Sequence, residues 1–572
     1  MNNTLTDRQT GYPSIDKPWL KYYAERARKA PLPEKTMYQY IWDNNKEHLS
    51  DVTLRYYGTK ITYGKLFANI KRAASAFYAM GIQSGDIVTI MSMHTPETVC
   101  AIYALNYLGA VANMVYMTLS EKEVLKTLEN TSSKLLLVID AVLPKIEKIK
   151  EAIGIPVIVL GISDSMPFHL RLGYQMKNRS LKNSFQTWAS FLNTGEELPP
   201  IADNHTAPAV IVYTSGTTGE PKGVVLSSDS FNAVIRMCND SGKDYVRGET
   251  GLLILPPFFG FGISMLHLCI NYGINSKLWI ELTPDAIANA YQKEKPNRFV
   301  GGPAIVDGFF KHVHGNLSYI IEFSGGGGAL AAEKEEALNV FLSQNGSDVK
   351  YTTGYGMTEF ASAVCMQQKN CYKKDTLGIP LIHANIKVVD SDTNKELKYN
   401  ETGELWVSTP AMMTEYFRNP KETDKVLKTD DNGVRWLRTG DLGYVDEDGF
   451  VHFMGRIKRI YITTGKNGNT INKIFPQRIE ECLESNPFVE SCGVCCLPDP
   501  IQTNISVAFV TLKKGSEKHV VVKMLLDFLY KELPEHHWPK VIHVIEKMPI
   551  TPSGKIDYRV LEKMAYERHK DI

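Results

Sequence analysis

A loop rich in glycine and hydroxyl residues is the segment best suited to chemistry. It reads YTSGTTGEPKG from Tyr213 to Gly223 and joins two apolar runs. Glycines let the backbone approach a ligand closely, and successive backbone N–H groups in such a loop can form a nest for an anion. A Walker loop would instead end in Gly-Lys-Ser/Thr between a strand and a helix. The segment therefore predicts a phosphate site between two strands, built from Thr214, Ser215, Gly216, Thr217, Thr218, Gly219 and Lys222.

Three motifs farther along the chain carry residue types that suit a nucleotide. Four glycines follow Ser324, and the close approach of a flat ligand would explain so costly a run. The sequence YGMTE, Tyr355–Glu359, places an aromatic ring beside a hydroxyl and a carboxylate, and a rigid Pro–Gly turn presents Lys555. Taken singly, a strand end or a surface turn explains each of them. Their occurrence together with the phosphate loop favours a nucleotide site.

In this order, the motifs resemble those of the adenylate-forming superfamily, which includes acyl-CoA synthetases, the adenylation domains of peptide synthetases and luciferases. The resemblance runs from about Thr62 to Leu561, and the chain looks most like a fatty acyl-CoA ligase. This implies that a carboxylic acid is activated as acyl-AMP with release of pyrophosphate and is then transferred to a thiol. The implied ligands are ATP, Mg²⁺ and, as co-substrate, coenzyme A.

The resemblance implies where the nucleoside would lie. Tyr355 would pack on adenine. Asp441, at the end of the motif RTGD, would accept hydrogen bonds from both ribose hydroxyls, which suits an ionised carboxylate. Further ATP contacts would come from Gly325, Gly326, Gly327 and Arg456.

The same resemblance implies which residues meet the reacting groups. Thr358 would contact the α-phosphate, and Lys555 would bridge the substrate carboxylate and that phosphate during adenylation. Glu359 and Thr214 would hold Mg²⁺, which prefers one or two carboxylates plus phosphate oxygens and waters. Lys555, Thr358 and Glu359 are therefore the catalytic candidates.

A hinge and a thiol side are implied downstream. Lys458, in the sequence GRIK, stands where the small domain of the family turns, and Thr464 and Gly465 would lie on the coenzyme A side. Two residues depart from the family pattern: Arg459 replaces a common Asp and Arg478 replaces a Glu. These departures leave the thiol side less well specified than the ATP side.

The acid is indicated by the segment LPPFFGFG, which resembles the family's LPLFHxxG. Phe259 stands where His is common, and Gly262 stands where amino-acid-activating members carry a carboxylate. An α-amino acid would leave its ammonium group unpaired in an apolar pocket, which is costly. The small side chains expected along the acyl pocket predict that it has room for a fatty acid of medium or longer chain. An aromatic acid is the alternative substrate. The expected acyl pocket consists of Phe259, Gly262, Gly301, Gly302 and Pro303.

The elements that must position these residues alternate between helices and strands. A helical period begins at Thr62 and stops at Gly81, Ile87–Met91 follows as a strand, and Pro96 opens another helix. Strand-like segments and a hairpin dominate after Asn385. Such alternation predicts an α/β fold, with a large N-terminal domain of layered α/β subdomains that has a β-rich end.

Length and the run of basic residues after Gly455 predict two domains. A chain of 572 residues exceeds what one core usually organises. We place an N-terminal adenylation domain, for ATP and acyl binding, at residues 1–456. A small, mobile α+β domain that carries the catalytic lysine occupies residues 457–572.

Composition excludes several function classes. With 64 Lys and Arg against 63 Asp and Glu, the chain has no general field for nucleic acid. No apolar run reaches the length of a membrane span, and the polar start lacks a signal peptide. We therefore expect a cytoplasmic, reduced protein, in which Cys492, Cys495 and Cys496 lie on a buried strand rather than around zinc.

One basic, partly apolar segment, Phe168–Lys182, has two interpretations. It could be an interfacial helix with weak contact to a membrane surface. Because Gly173 weakens a helix there, we favour a solvated surface insertion.

Other functional classes share the motifs. The acceptor could be the phosphopantetheine of a carrier protein, since that arm ends in the same thiol as coenzyme A. A light-emitting oxygenase would differ only in an oxidisable adenylate and O₂. A non-catalytic binding protein would be expected to lack Lys555 or Glu359, and both are present.

Overall fold

The computed structural model describes residues 10–177, 185–214, 221–302, 305–326, 330, 332–368, 371–464, 471–499, 501–513, 518–551 and 555–569. It is a mixed α/β structure, as the sequence predicts, with three sheets before residue 457 and two small sheets after it. The boundary itself stays a prediction, although the last strand of the third sheet, Val451–Arg456, ends there.

The first sheet is mostly parallel and ends in the hairpin that carries the phosphate loop. Its apolar strands are buried on both faces, as expected where helices cover a parallel sheet. In spatial order the strands are Glu415–Tyr416, Gly223–Ser227, Pro208–Tyr213, Val111–Met114, Ile87–Met91, Leu135–Ile139, Val157–Leu160 and Gln186–Thr187.

The second sheet has a parallel centre that places the glycine motif beside the YGMTE motif. The strand that ends at Gly325 pairs with the strand that ends at Tyr355. In spatial order the strands are Ile379–Pro380, Cys365–Met366, Thr352–Tyr355, Glu322–Gly325, Arg298–Gly301, Thr250–Leu253, Asn275–Leu278, Val52–Tyr56 and Thr59–Thr62.

The third sheet is antiparallel and contains the hairpin predicted around Gly449. Gly449 adopts a φ of +95°, and its N–H donates to the Asp446 carbonyl at 2.9 Å. The strands are Asn385–Val389, Gly403–Ser408, Arg435–Val445, Leu427–Thr429 and Val451–Arg456. After residue 457 the strands are Tyr461–Thr464, Ile471–Ile474, Val489–Asp499, Thr503–Leu512 and Val541–Val544.

Helices cover the sheets, and the largest apolar cluster lies between them. The predicted helix is Tyr63–Ala79, capped by the Thr62 side chain, and Pro96–Leu108 is buried along its length. The other α-helices are Pro13–Asp16, Glu25–Lys29, Met37–Asn45, Glu121–Thr131, Leu143–Lys148, Lys150–Ile153, Phe168–Lys177, Trp188–Phe191, Ser228–Cys238, Gly260–Asn271, Pro284–Glu294, Val306–His312, Ala332–Gln344, Pro420–Val426, Pro476–Glu484, Lys518–Glu532 and Tyr558–Arg568.

The predicted cysteine strand and the basic segment from Phe168 both lie among the described residues. Cys492 and Cys495 are buried on the strand Val489–Asp499, as predicted, whereas Cys496 on the same strand is only partly buried. No group of three or more His, Cys, Asp or Glu side chains within the described ranges is arranged to hold a metal ion. The segment from Phe168 is exposed as expected, but it is helical through Gly173 as far as Lys177. No helix in the described part of the chain is both long and apolar enough to cross a membrane.

Candidate active site

The neck of the phosphate loop is a closed antiparallel hairpin. Strands Pro208–Tyr213 and Gly223–Ser227 pair in register, so Thr214 and Lys222 face one another where the loop begins and ends. The Thr214 N–H donates to the Lys222 carbonyl at 3.0 Å, and the Lys222 N–H donates to Thr214 Oγ1 at 3.2 Å. The hairpin thus confirms that the loop joins two strands. The predicted contacts Ser215, Gly216, Thr217, Thr218 and Gly219 lie outside the described residues.

The Lys222 ammonium is held beside the loop by two residues that the sequence motifs did not reveal. It forms an ion pair with Glu422 and lies 4.8 Å from the centre of the Tyr416 ring. Hydrogen bonds from Lys222 and Lys425 lower the pKa of Glu422 to about 2. Lys222 is therefore a positioned cation, and an incoming phosphate would compete with Glu422 for it.

Glu359 lies next to this hairpin because of strand pairing. The short strand Glu415–Tyr416 pairs with Gly223–Ser227, and the Tyr416 hydroxyl donates to Glu359 Oε1 at 2.7 Å. Glu359 is buried in the turn Thr358–Phe360, which follows the strand that ends at Tyr355. One buried carboxylate and a threonine hydroxyl do not make a complete cage for Mg²⁺. They fit an ion that takes its remaining ligands from phosphate and water.

Tyr355 and Arg456 both contact the buried carboxylate of Asp441. The Tyr355 hydroxyl donates to Asp441 Oδ2 at 2.6 Å, and Arg456 Nε lies 2.9 Å from Asp441 Oδ1. Asp441 and Arg456 are directly opposite in the hairpin of the third sheet, so strand register fixes this ion pair. Burial raises the pKa of Asp441, whereas Arg456 and Tyr355 act to lower it.

Asp441 Oδ1 lies in the ion pair with Arg456 but accepts no well-aligned hydrogen bond. The oxygen is buried, and among the described residues Arg456 Nε approaches it to 2.9 Å without hydrogen-bonding alignment. Buried acceptors without a donor are rare and call for an explanation. A ligand that offers hydroxyl groups, such as a ribose, would satisfy this oxygen.

Lys555 reaches the same cleft from the far end of the sequence. The Thr551 N–H donates to the Lys555 carbonyl at 2.7 Å, and the Lys555 N–H donates to Thr551 Oγ1 at 3.2 Å. These two hydrogen bonds hold the Lys555 backbone beside Thr551. The Lys555 side chain is exposed at the surface; partial desolvation and the charge of Arg456 lower its pKa, while Asp441 and Glu359 act in the opposite direction.

The glycines of the second sheet fall into two pairs that face opposite sides. A side chain on Gly301 would meet Ile305 at 2.2 Å, and one on Gly325 would meet the Tyr351 hydroxyl at 1.6 Å. Packing on that face of the sheet therefore requires both glycines. Gly302 has no atom closer than 3.9 Å, and Gly326 faces the Phe261 ring at 3.5 Å. These two open onto the slot beneath helix Gly260–Asn271, while Pro303 and Gly327 lie outside the described residues.

The segment around Phe259 is packed too tightly to carry a charged side chain at Gly262. A Cβ there would lie 2.0 Å from the Pro256 carbonyl oxygen. Phe259 precedes the helix, is partly exposed, and packs its ring against Tyr116 and Phe258. The backbone itself therefore excludes a carboxylate at position 262.

The hinge candidate Lys458 lies between two arginines that are bound in opposite directions. Arg456 forms an ion pair with Asp441, which precedes it in the sequence. Arg459 forms an ion pair with Glu480, which follows it, at 2.5 Å, and its guanidinium lies 3.7 Å from the centre of the Tyr558 ring. The replacement at Arg459 thus has a structural partner in the C-terminal segment. On the thiol side, Thr464 Oγ1 donates to the Ile501 carbonyl at 3.1 Å, and Gly465 lies outside the described residues.

Comparison with known proteins gives matches along nearly the whole chain. The model of the AMP-binding enzyme family matches residues 41–417, and that of the AMP-binding enzyme C-terminal domain matches residues 478–555. The long-chain-fatty-acid–CoA ligase of Bacillus subtilis (strain 168) is 28% identical over 575 residues, which cover 97% of this chain and 99% of that protein.

Two further matches are a ligase named for an aromatic acid and a solved structure with bound ATP. The 4-coumarate–CoA ligase 2 of Oryza sativa subsp. japonica is 25% identical over 88% of this chain and 87% of that protein. The solved structure of an ATP-bound RpMatB–BxBclM chimera superposes with a TM-score of 0.81 at 22% identity, covering 94% of this chain and all of that one. This superposition shows a common fold.

Proposed function

The chain belongs to the family of AMP-binding enzymes, and on that premise we propose that it is an AMP-forming acid–CoA ligase. It activates a carboxylic acid as acyl-AMP with release of pyrophosphate and then transfers the acyl group to coenzyme A. The observation that carries this proposal is the buried Asp441 carboxylate, which Tyr355 and Arg456 contact and whose pKa the charge of Lys555 acts to lower.

Adenylation requires two anions to approach one another. The acid's carboxylate oxygen attacks the α-phosphorus of ATP, the bond from that phosphorus to the bridging oxygen of pyrophosphate breaks, and pyrophosphate leaves. Lys222 at the loop neck and Lys555 on its turn supply positive charge on two sides of this approach. Preorganised charges of this kind stabilise the negative charge that develops in the transition state.

Glu359 and Thr214 are the residues that would hold Mg²⁺, which would neutralise phosphate charge when bound. Tyr416 orients Glu359 through a 2.7 Å hydrogen bond, so the carboxylate keeps its other oxygen for the ion. Asp441 holds the ribose through the oxygen that Arg456 approaches without hydrogen-bonding alignment, and Thr358, in the same turn as Glu359, meets the α-phosphate.

Thiol transfer requires Lys555 to leave and a thiol to enter. The thiol sulfur, as thiolate, attacks the acyl carbon, a C–S bond forms, and AMP leaves with the electrons of the C–O bond. Rotation about Lys458 would turn the C-terminal domain as a unit, because Arg459 ties the residue after the hinge to Glu480. A carrier-protein phosphopantetheine presents the same thiol, so it stays the alternative acceptor.

The apolar lining of a small cavity near the glycine slot supports a fatty acid as substrate. The cavity lies between the helix Gly260–Asn271 and the second sheet and encloses only about 20 Å³, so an acyl chain would have to displace side chains that line it. Val300 and Gly302 are two residues apart, so they lie on the same face of the sheet, and Val300 lines the cavity. The apolar wall consists of Leu253, Met265, Leu268, Cys269, Ile274 and Val300.

The floor of this cavity limits the length of the chain that fits. Glu322 there accepts from Lys243 at 2.6 Å and from Arg298 at 3.0 Å, and the Arg298 guanidinium lies 4.5 Å from the centre of the Tyr245 ring. A long alkyl chain would have to separate these buried charges, which is costly. Within the fatty acids, the floor therefore favours medium chains. An aromatic acid, lying flat between Phe261 and Gly326, is the second candidate.

One screen tests the function. Pyrophosphate and AMP are measured with ATP and each acid from butyrate to stearate, with benzoate, 4-coumarate and α-amino acids, with and without coenzyme A. We expect AMP rather than ADP, a maximum at medium chain length, acyl-CoA only when coenzyme A is added, and no turnover of amino acids. ADP as the main product would contradict the assignment. A maximum on an aromatic acid would replace the fatty-acid assignment and leave the ligase assignment intact.

A further inference from the structure

The helix Phe168–Lys177 exposes large apolar side chains that the active site does not use. Phe168 is 80% exposed, Leu172 47% and Met176 64%. These residues are spaced four apart, so they form one stripe along the helix. No residue of this helix is fully buried. Three adjacent apolar side chains in water call for a partner, whereas single ones are ordinary.

The attachment of the helix directs this stripe away from the protein. Tyr174 is the one residue of the helix that is not exposed, and its hydroxyl donates to Asp140 Oδ1 at 3.2 Å. At 100° per residue, Tyr174 lies roughly 160° from Leu172, the middle of the stripe. The helix therefore rests on the body through Tyr174 and presents Phe168, Leu172 and Met176 outward.

The helix itself carries two charged side chains, both basic, and the partly buried Asp164 lies near one of them, Arg171. Arg171 and Lys177 are exposed on the same helix. The sequence from Ser165 to Gly195 contains no acidic residue. Such a surface complements a plane of negative charge with an apolar layer behind it, which is the structure of an anionic lipid surface. A second copy of this chain would supply apolar contacts, but it would bring the same positive charges together.

We propose that the helix Phe168–Lys177 docks this protein on anionic lipid, with Phe168, Leu172 and Met176 inserted among the headgroups and Arg171 and Lys177 against the phosphates. The helix has ten residues and lies on the surface rather than spanning it. This inference goes beyond the proposed ligase function, because it concerns where the enzyme works and does not depend on which acid it activates.

The test is cosedimentation of the full chain with vesicles. One set contains phosphatidylcholine alone, and the other contains phosphatidylcholine with phosphatidylglycerol. The variant Phe168→Ser/Leu172→Ser/Met176→Ser removes the stripe. A matched control, Ile15→Ser/Leu49→Ser/Tyr566→Ser, removes apolar side chains that are 60%, 42% and 63% exposed elsewhere. A second variant, Arg171→Gln/Lys177→Gln, removes the charges and keeps the stripe.

The expected result is binding of the wild type to the anionic vesicles, weakened by salt. The stripe variant should bind about ten-fold or more weakly, because insertion strength follows buried apolar area. The charge variant should lose the salt dependence, and the control should match the wild type. All four proteins should release pyrophosphate equally with a water-soluble acid and no vesicles, which separates this test from that of the ligase function.

Three results would overturn the proposal. Unchanged binding of the stripe variant would place the contact elsewhere, and equal binding of the wild type to neutral vesicles would remove the role of charge. A dimer in sedimentation equilibrium that the stripe variant abolishes would assign the stripe to a second copy of the chain.

Discussion

Asp441 and Glu322 are both buried carboxylates; we propose the first for ribose binding, and the second lines the small cavity beside the second sheet. Glu322 is fully satisfied: Lys243 and Ser324 contact one oxygen, and Arg298 contacts the other. Asp441 accepts from Tyr355 on one oxygen, while the other lies in an ion pair with Arg456 and, among the described residues, accepts no well-aligned hydrogen bond.

The two pKa values record this difference. Burial alone would raise both, but Lys243 and Arg298 lower the pKa of Glu322 below its ordinary value. At Asp441 burial prevails and the pKa is raised. A buried carboxylate whose hydrogen bonds are complete holds a fold together, whereas one with an oxygen held by an ion pair alone can still accept hydrogen bonds from a ligand. Substitutions at the two positions should therefore separate stability from catalysis.

The largest effect is expected at Glu322. Glu322→Gln removes one partner of a buried ion-pair cluster, which typically costs ~3–5 kcal/mol of unfolding free energy. Urea unfolding measures this loss, and adenylation of a short acid by the folded variant should persist. The control is Asp285→Asn, which breaks the exposed pair with Lys311 and should leave the midpoint nearly unchanged. A wild-type midpoint for Glu322→Gln would show that the cluster does not stabilise the second sheet.

The next largest effect is expected when the positive charge of Lys555 is removed. Lys555→Ala should slow formation of acyl-AMP by ~10²–10³, the usual cost of losing one preorganised electrostatic contact. Transfer from supplied acyl-AMP should survive, because no two anions approach one another in that step. Lys563→Ala, on the exposed face of the following helix, is the control and should leave both steps unchanged. Equal slowing of both half-reactions by Lys555→Ala would contradict its assignment.

Asp441→Asn should lower activity and raise the unfolding free energy, whereas Glu322→Gln should lower the unfolding free energy and leave adenylation intact. Loss of charged hydrogen bonds to ribose, each ~1.5–3 kcal/mol, predicts a fall in kcat/KM for ATP of about ten-fold or more. Unfolding free energy at neutral pH should rise, because a raised pKa means that the folded state holds its ionised carboxylate unfavourably.

The difference in unfolding free energy between Asp441→Asn and the wild type should depend on pH. The penalty at Asp441 is complete above the raised pKa of the folded state and disappears as pH falls below the ordinary value of an aspartate. The stability advantage of Asp441→Asn should therefore shrink toward acid. An Asn variant less stable than wild type at neutral pH would mean that Arg456 compensates the burial of Asp441.

The smallest effect should be confined to one step. Lys458→Pro fixes φ near −65° at the residue between Arg456 and Arg459, so the domain should be held in the arrangement that brings Lys555 to Asp441. Acyl-AMP should still form while its transfer to coenzyme A slows several-fold or more. Lys458→Ala should leave both rates unchanged. Wild-type rates for both steps in the proline variant would remove Lys458 as the pivot.

The sequence by itself determined the local parts of this protein. Thr62 and Gly81 mark the ends of a helix whose apolar period is visible in the sequence, and the turn around Gly449 follows from its composition. The phosphate loop could be identified because its glycines, hydroxyls and lysine lie within eleven residues, Tyr213–Gly223. Properties set by neighbouring residues in the chain can be read from their order.

Tertiary structure alone decided which distant side chains became partners. Tyr416 and Glu422 contact Glu359 and Lys222 because a two-residue strand pairs beside the phosphate loop, and neither lies in a recognisable motif. Strand register also turned Gly301 and Gly325 toward packed side chains.

The outward stripe of the helix Phe168–Lys177 was decided in the same way. The sequence showed a basic segment weakened by Gly173, and only the contact of Tyr174 with Asp140 fixed which face meets solvent. Pairing register and docking orientation depend on the whole sheet and on every element packed against it. One residue of slip reverses the face that each side chain occupies, so these contacts follow from the assembled fold.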